Sequence, residues 1–215
     1  MTGGPYPQPR SLSFVVPAYN EAPRLGASLE RLIDFGGQQP YAVEIILVDD
    51  GSSDSTAEIA LEAAQRVSGG VSVRLLQHER NRGKGAAVRT GALAATGDVV
   101  LYLDADLATP PEEARRLLEA LAAGADVAAG SRVQPGGLDM RASQPAWRRI
   151  GGRLFALARR LGFSVRQVPV EWRHIEGSQF KLSPVSALRE VGDLLRIRWL
   201  HRRLEADESG ATLED

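Results

Sequence analysis

Strand-like and helix-like segments alternate from residue 12 to about residue 130, and this alternation constrains the fold more than any other feature. Leu12–Val16 is a short apolar run closed by Pro17. A helix follows from Arg24, with Leu25, Leu29, Leu32 and Ile33 on one face at the spacing of an amphipathic helix. Val43–Val48 is a second, β-branched run. Val71–Leu76 is a third, and Ala86–Ala95 reads as an Ala-rich helix. Val99–Leu103 forms a fourth run, expected to be a buried strand. Pro110-Pro111 opens a helix with Ala114, Leu117, Leu118 and Leu121 inside. Asp126–Ala129 and Ser164–Val170 complete the strands. The pattern predicts an α/β fold with a mostly parallel sheet and helices on both faces.

Ligands in such sheets bind at the carboxyl ends of the strands. Polar clusters stand at four of these ends: Asn20/Glu21, Asp49/Asp50, Asp104/Asp106 and Ser131/Arg132. Asp104 and Asp106 are two residues apart, and extended backbone would point both the same way. Two hard oxygen donors suit Mg²⁺ or Mn²⁺, which bind through one or two carboxylates plus phosphate and water. The loop Arg80–Gly85 is basic and Gly-rich. It is neither a dinucleotide fingerprint nor a P-loop, because Val88 and Gly85 stand where those motifs need other residues. It reads either as a surface turn or as a phosphate contact. Together these clusters suit a nucleoside diphosphate held through a divalent ion, with Asp49 and Asp50 facing base or ribose.

Other chemistries are disfavoured. There is no cysteine, so thiolate sites and disulfides are excluded. His78, His174 and His201 are scattered, which argues against a His-built metal site or triad. Ser52, Ser53 and Ser55 read as helix-capping residues, with Ser55 and Glu58 spaced as a capping box. A net charge of −1 gives no field to recruit nucleic acid. No run of eighteen apolar residues exists, so no membrane-spanning helix is expected. The expected setting is cytoplasmic, with peripheral membrane contact and homo-oligomerisation left open. Residues 1–10 read as a flexible leader and 205–215 as an acidic tail.

Four motifs in order resemble family 2 inverting glycosyltransferases: Val15–Glu21, Leu47–Asp54, Asn81–Gly85 and Asp104–Pro110. Gly130-Ser131-Arg132 and Gln144-Pro145 continue the likeness. The nearest branch is the dolichyl- or polyprenyl-phosphate glucosyl- and mannosyltransferases. This resemblance implies a single GT-A domain over 11–204, with a nucleotide-sugar half to about 132. It implies that Pro17, Tyr19, Glu21, Asp49 and Asp50 line the nucleoside pocket, that Lys84 meets the base or diphosphate, and that Ala105 lies at the donor. Asp104 and Asp106 would hold Mg²⁺ or Mn²⁺ as part of the catalytic centre with Arg132. Ser131 and Arg132 would flank donor sugar or acceptor phosphate. Arg148 and Arg149 read either as further phosphate clamps or as a solvated helix face. The implied reaction moves glucose from UDP-glucose, or mannose from GDP-mannose, to a lipid phosphate with inversion. The family's Asp…Gly-Phe-Lys segment is missing, which points to an internal deletion near Phe155/Ala156 and a shortened acceptor half over 133–204. Impaired transfer, with donor binding retained, is the alternative expectation.

Overall fold

The computed structural model describes residues 9–67, 69–131, 158 and 160–172. All of them belong to one compact unit. The remainder of the 11–204 domain expectation, residues 1–8 of the leader, the tail and the Phe155/Ala156 junction lie outside the described residues.

The chain runs β1 (Ser11–Ala18), α1 (Ala22–Gly37), β2 (Ala42–Asp49), α2 (Thr56–Arg66), β3 (Val71–Gln77), α3 (Lys84–Ala94) and β4 (Val99–Tyr102). A 3₁₀ turn, Pro111–Glu113, leads into α4 (Ala114–Ala122), followed by β5 (Val127–Ser131) and β6 (Val165–Pro169). The first four strands form a parallel sheet in the order β3-β2-β1-β4. A separate parallel pair joins β5 to β6. The chain winds outward from β1 through β2 to β3, then returns to place β4 on the other side of β1. The switch point therefore lies between β1 and β4, where doubly wound sheets bind ligands.

One sheet face carries Leu12, Phe14, Val16, Ile45 and Leu47, packed under Leu25, Leu29 and Leu32 of α1, Ala60 of α2 and Leu118 of α4. The opposite face holds Val15, Ile46 and Val48 against Ala87 of α3. Gly91 lets α3 approach this closely, since a Cβ there would collide with Val15. Leu61 of α2 is about half exposed, and Thr56 and Ala60 are the buried residues of that helix.

Strand β4 corrects the expectation of full burial. Leu101 and Leu103 are buried, whereas Val100 and Tyr102 are exposed. Residues that alternate along a strand face opposite sides, and among the described residues only one side of β4 is covered. Pro17 lies inside β1 rather than ending it. Its missing N–H faces the β4 side, because β1 residues alternate in pairing and Val15 is the one that accepts from Leu103, at 3.0 Å. Pairing with β4 stops at that point, so no ladder bond is lost.

Near the amino ends of the strands, Glu44 of β2 ties three strands together. It accepts from Ser13 Oγ (2.6 Å), Thr96 N (3.0 Å) and Arg74 Nη1 (2.5 Å). Burial opposes its charge, but Ser13, Thr96 and Arg74 outweigh burial and hold the carboxyl down to about 2. The folded value lies below the ordinary 4.5. This stabilisation is thus complete above the ordinary value and is lost as pH falls toward about 2. Glu44→Gln is expected to cost about 2–3 kcal/mol at pH 7. Urea unfolding should show the gap between variant and wild type closing between pH 5 and pH 2.

Candidate functional site

The loops after β1, β2, β3 and β4 are tied to one another before any ligand is considered. Asp50, one residue beyond β2, is buried. Its Oδ1 accepts from Arg82 N at 2.9 Å and its Oδ2 from Gly83 N at 2.7 Å. His78, one residue beyond β3, places Nδ1 2.6 Å from Asp50 Oδ1 and Nε2 3.0 Å from Thr90 Oγ1. An ionised carboxylate only accepts, so Nδ1 carries the proton. His78 thus joins β2, β3 and α3. Gly51 completes the clamp: its φ is +74°, and a Cβ there would sit 2.6–2.8 Å from the backbone of Arg80 and Asn81. Only glycine combines that conformation with that approach.

The carboxylates of Asp49 and Asp50, expected at the base or ribose, are both buried and bonded within the chain. Asp49 accepts from Ser52 N at 3.0 Å and from Gln77 Nε2 at 3.4 Å. The cause is register. Asp49 pairs with Gln77 across the β2–β3 ladder, so Asp50 emerges beside His78 rather than into open solvent. A cleft of about 400 Å³ opens next to this clamp, lined by Gln77, His78, Glu79, Arg80 and Arg82.

The loops after β1 and β2 are joined by small polar side chains. Ser52 Oγ accepts from Asn20 N (2.9 Å), and Asn20 Oδ1 accepts from Ser53 N (2.9 Å). Thr56 Oγ1 accepts from Glu21 N, and Asp54 accepts from Ala22 N and Thr56 N. The Asp54 carboxyl is held below its ordinary range because these bonds outweigh its burial. Ser55 stands at the N-cap of α2 but makes no side-chain cap bond. Asp54 does that work, so the expected capping box is replaced by a bridge between the starts of two helices. Pro17 is buried, while Tyr19 is 46% exposed at the mouth of the switch point.

The Asp104/Asp106 pair sits in a turn, not in the extended segment expected. Leu107, at φ +48°, donates its N–H to Asp104 O at 3.0 Å. Asp106 Oδ1 accepts from Ala108 N at 3.0 Å. Ala105, expected at the donor, has its side chain buried in the main core. Lys84 lies in the first turn of α3, two residues before the expected helix start, and its Nζ donates to Asp104 Oδ1 at 2.5 Å. The Tyr102 hydroxyl donates to the same oxygen, and its ring centre is 5.4 Å from Lys84 Nζ. Burial raises the Tyr102 phenol, Lys84 pulls it back and Asp104 raises it again, to about 12. Its proton therefore stays in place across the working pH range. Glu21 is taken up by Arg24, which donates to both its oxygens. That contact chiefly holds the guanidinium above its usual range, and the nearby Asp106 carboxylate adds to it.

Among the described residues, no three His, Cys, Asp or Glu side chains form a metal cluster. Asp104 and Asp106 nonetheless supply hard oxygen donors on one turn. That set fits a divalent ion that completes its shell with phosphate oxygens and water. Ser131 closes β5 in the second sheet. Arg132, Arg148 and Arg149 lie outside the described residues. His78, Thr90, Arg24 and Tyr102 were not singled out from the sequence as parts of this site. Only Tyr102 carried a local signal, two residues before Asp104 on an alternating strand.

Comparison with known proteins bears on fold and family. A 4-deoxy-4-formamido-L-arabinose transferase acting on undecaprenyl phosphate, from Edwardsiella ictaluri, is 47% identical over 116 residues, which is 54% of this chain and 35% of that protein. A dolichyl-phosphate beta-glucosyltransferase from Trichomonas vaginalis is 32% identical over 247 positions, covering 89% of this chain and 74% of that protein. That alignment is longer than the 215-residue chain itself, so the relative carries positions with no counterpart here. The chain spans about a third of the length of the arabinose transferase. Among solved structures, mannosyl-3-phosphoglycerate synthase from Rubrobacter xylanophilus matches with a TM-score of 0.60 at 19% identity, over 95% of this chain and 77% of its own. Glucosyl-3-phosphoglycerate synthase from Mycobacterium tuberculosis, solved with Mn²⁺ and UDP, matches at 0.56 and 21%, over 83% and 75%. Both have the GT-A arrangement of a mostly parallel sheet between helices. The profile of glycosyl transferase family 2 matches residues 13–175, and this chain belongs to that family.

Proposed function

We propose that the protein moves a hexose from a nucleotide sugar to a polyprenyl or dolichyl phosphate with inversion at the anomeric carbon. The observation that carries this reading is the switch-point turn bearing Asp104 and Asp106, with Lys84 delivered to it from a clamped loop. The names of the relatives supply the acceptor class. Glucose from UDP-glucose is the preferred donor, and mannose from GDP-mannose is the alternative.

In this reading Pro17, Tyr19 and Glu21 border the nucleoside. Asp49 and Asp50 act on it through the loops they hold. Asp104 and Asp106 would bind Mg²⁺ or Mn²⁺, which neutralises charge on the diphosphate leaving group. Lys84 offers that group a point charge. Ser131, Arg132, Arg148 and Arg149 are assigned to the donor sugar and acceptor phosphate. A phosphate acceptor is already ionised near pH 7, so it needs no strong general base. A lipid acceptor sets the reaction at a membrane surface. No helix among the described residues is long and apolar enough to cross a membrane, so the contact proposed is peripheral.

A second reading is favoured by one observation. The alignment with the dolichyl-phosphate glucosyltransferase is longer than this chain. A gap of that kind on the acceptor side would leave a protein that binds nucleotide sugar but transfers poorly. Labelled glucose from UDP-glucose, offered to polyprenyl phosphate with Mn²⁺, separates the two. Labelled lipid supports transfer. Thermal stabilisation by UDP-glucose and Mn²⁺ without labelled lipid supports the binder, because a ligand of the folded state raises the melting temperature. No stabilisation by either nucleotide sugar overturns both.

A further inference from the structure

Asp104 already pairs with a cation of this chain, and a second cation lies within electrostatic reach of Asp106. Lys84 Nζ donates to Asp104 Oδ1 at 2.5 Å. The Tyr102 hydroxyl donates to that same oxygen, and the Tyr102 ring flanks the ammonium at 5.4 Å. On the other side, Arg24 is fixed by Glu21 and lies within electrostatic reach of Asp106. We propose that Lys84 is a resident counter-ion: it pairs with the Asp104 carboxylate in the free protein and leaves it for a diphosphate. The consequence is that a divalent ion and a nucleotide enter together rather than separately. This rests on the donor-site reading above.

Lys84 and a divalent ion compete for one carboxylate. An ammonium and a divalent ion cannot both sit against Asp104 Oδ1 without repelling each other. Lys84 cannot drift away to relieve the conflict. Its backbone follows Gly83, whose N–H is held by Asp50, and it begins a helix whose Thr90 is held by His78. Only the side chain can swing. A divalent ion arriving alone breaks the Lys84–Asp104 pair and leaves an uncompensated ammonium nearby. A diphosphate changes the balance, because its oxygens accept Lys84 as the ion takes Asp104. The carboxylates stay the same, and the anion supplies the difference in affinity.

The pair is partly exposed, with side-chain exposures of 55% for Lys84 and 36% for Asp104, so its strength is modest. Free protein should bind Mn²⁺ roughly 2–5-fold more weakly than it would without the Lys84 charge. The test titrates Mn²⁺ into the intact chain without nucleotide and follows free Mn²⁺ by electron paramagnetic resonance. Lys84→Met is expected to bind Mn²⁺ alone about 2–5-fold more tightly than wild type. Lys84→Arg keeps the charge and should resemble wild type. UDP should tighten Mn²⁺ binding in wild type and do so much less in Lys84→Met. Equal Mn²⁺ affinity in wild type and Lys84→Met without UDP overturns the counter-ion role while leaving the donor site intact. Failure of wild type to bind Mn²⁺ even with UDP overturns the donor-site reading and the proposal with it.

Discussion

Asp104→Asn is expected to remove metal-dependent donor binding and to lower transfer by on the order of 10²–10³-fold. Asparagine keeps the size and one oxygen, but loses the charge that attracts both a divalent ion and Lys84. The Tyr102 hydroxyl still has an acceptor, and the turn is closed by backbone bonding from Leu107 to Asp104 O. Folding should therefore change little, since the Asp104 side chain is about a third exposed. The measurement is a melting temperature with and without UDP-glucose and Mn²⁺, alongside a transfer assay. Wild type should be stabilised by the pair of ligands and the variant should not. An unchanged ligand-induced shift in Asp104→Asn would remove Asp104 from the donor site.

Asp50→Ala is expected to be the most destabilising single change, costing about 3–5 kcal/mol. It strands three donors at once: His78 Nδ1, Arg82 N and Gly83 N. His78 and Asp50 are almost fully buried, with side-chain exposures of 5% and 4%. Water therefore offers poor compensation. Asp50→Asn should cost less, because one oxygen still accepts, although the new amide hydrogens face a donor across the other position. Urea denaturation gives the free energies directly. A cost below about 1 kcal/mol for Asp50→Ala would contradict the clamp, since lost buried partners cost more than that. At a urea concentration where the variant is still folded, its affinity for UDP-glucose should also fall, because Lys84 starts from a loosened loop. Loss of stability without any loss of donor affinity would confine Asp50 to a folding role.

The sheet was readable because its strands are short apolar runs separated by helix-period segments. Each run lies within two residues of the observed strand at either end. The clusters after β1, β2 and β4 were readable for the same reason: these strands are parallel members of one sheet and present their carboxyl ends to one side. What the sequence hid was which cluster faces in. Asp49 and Asp50 look like ligand groups, and only the pairing of Asp49 with Gln77 reveals that His78 stands beside Asp50. Nothing near residue 50 announces a partner 28 positions away. The Lys84 contact was hidden differently. Its reach to Asp104 depends on α3 starting at Lys84 rather than at Ala86, which the glycines around it obscured. Arg24 fits the period of an amphipathic helix, and its pairing with Glu21 three residues earlier passes for an ordinary helix contact. The extended geometry assumed for Asp104 and Asp106 failed because Leu107 N–H bonds back to Asp104 O and closes residues 104–107 into a turn.

Pro17 has a consequence for the width of the opening. An ordinary residue at that position would present an amide hydrogen toward β4, and the seam between β1 and β4 could zip one rung further toward the carboxylate turn. The ring of Pro17 withholds that single hydrogen. The β1–β4 ladder ends where Pro17 has no amide hydrogen to extend it, independently of the side chains around it. On the proposed donor-site reading, changes to Tyr19, Glu21 or Asp106 would retune what the opening accepts, while the place where the two strands part stays fixed.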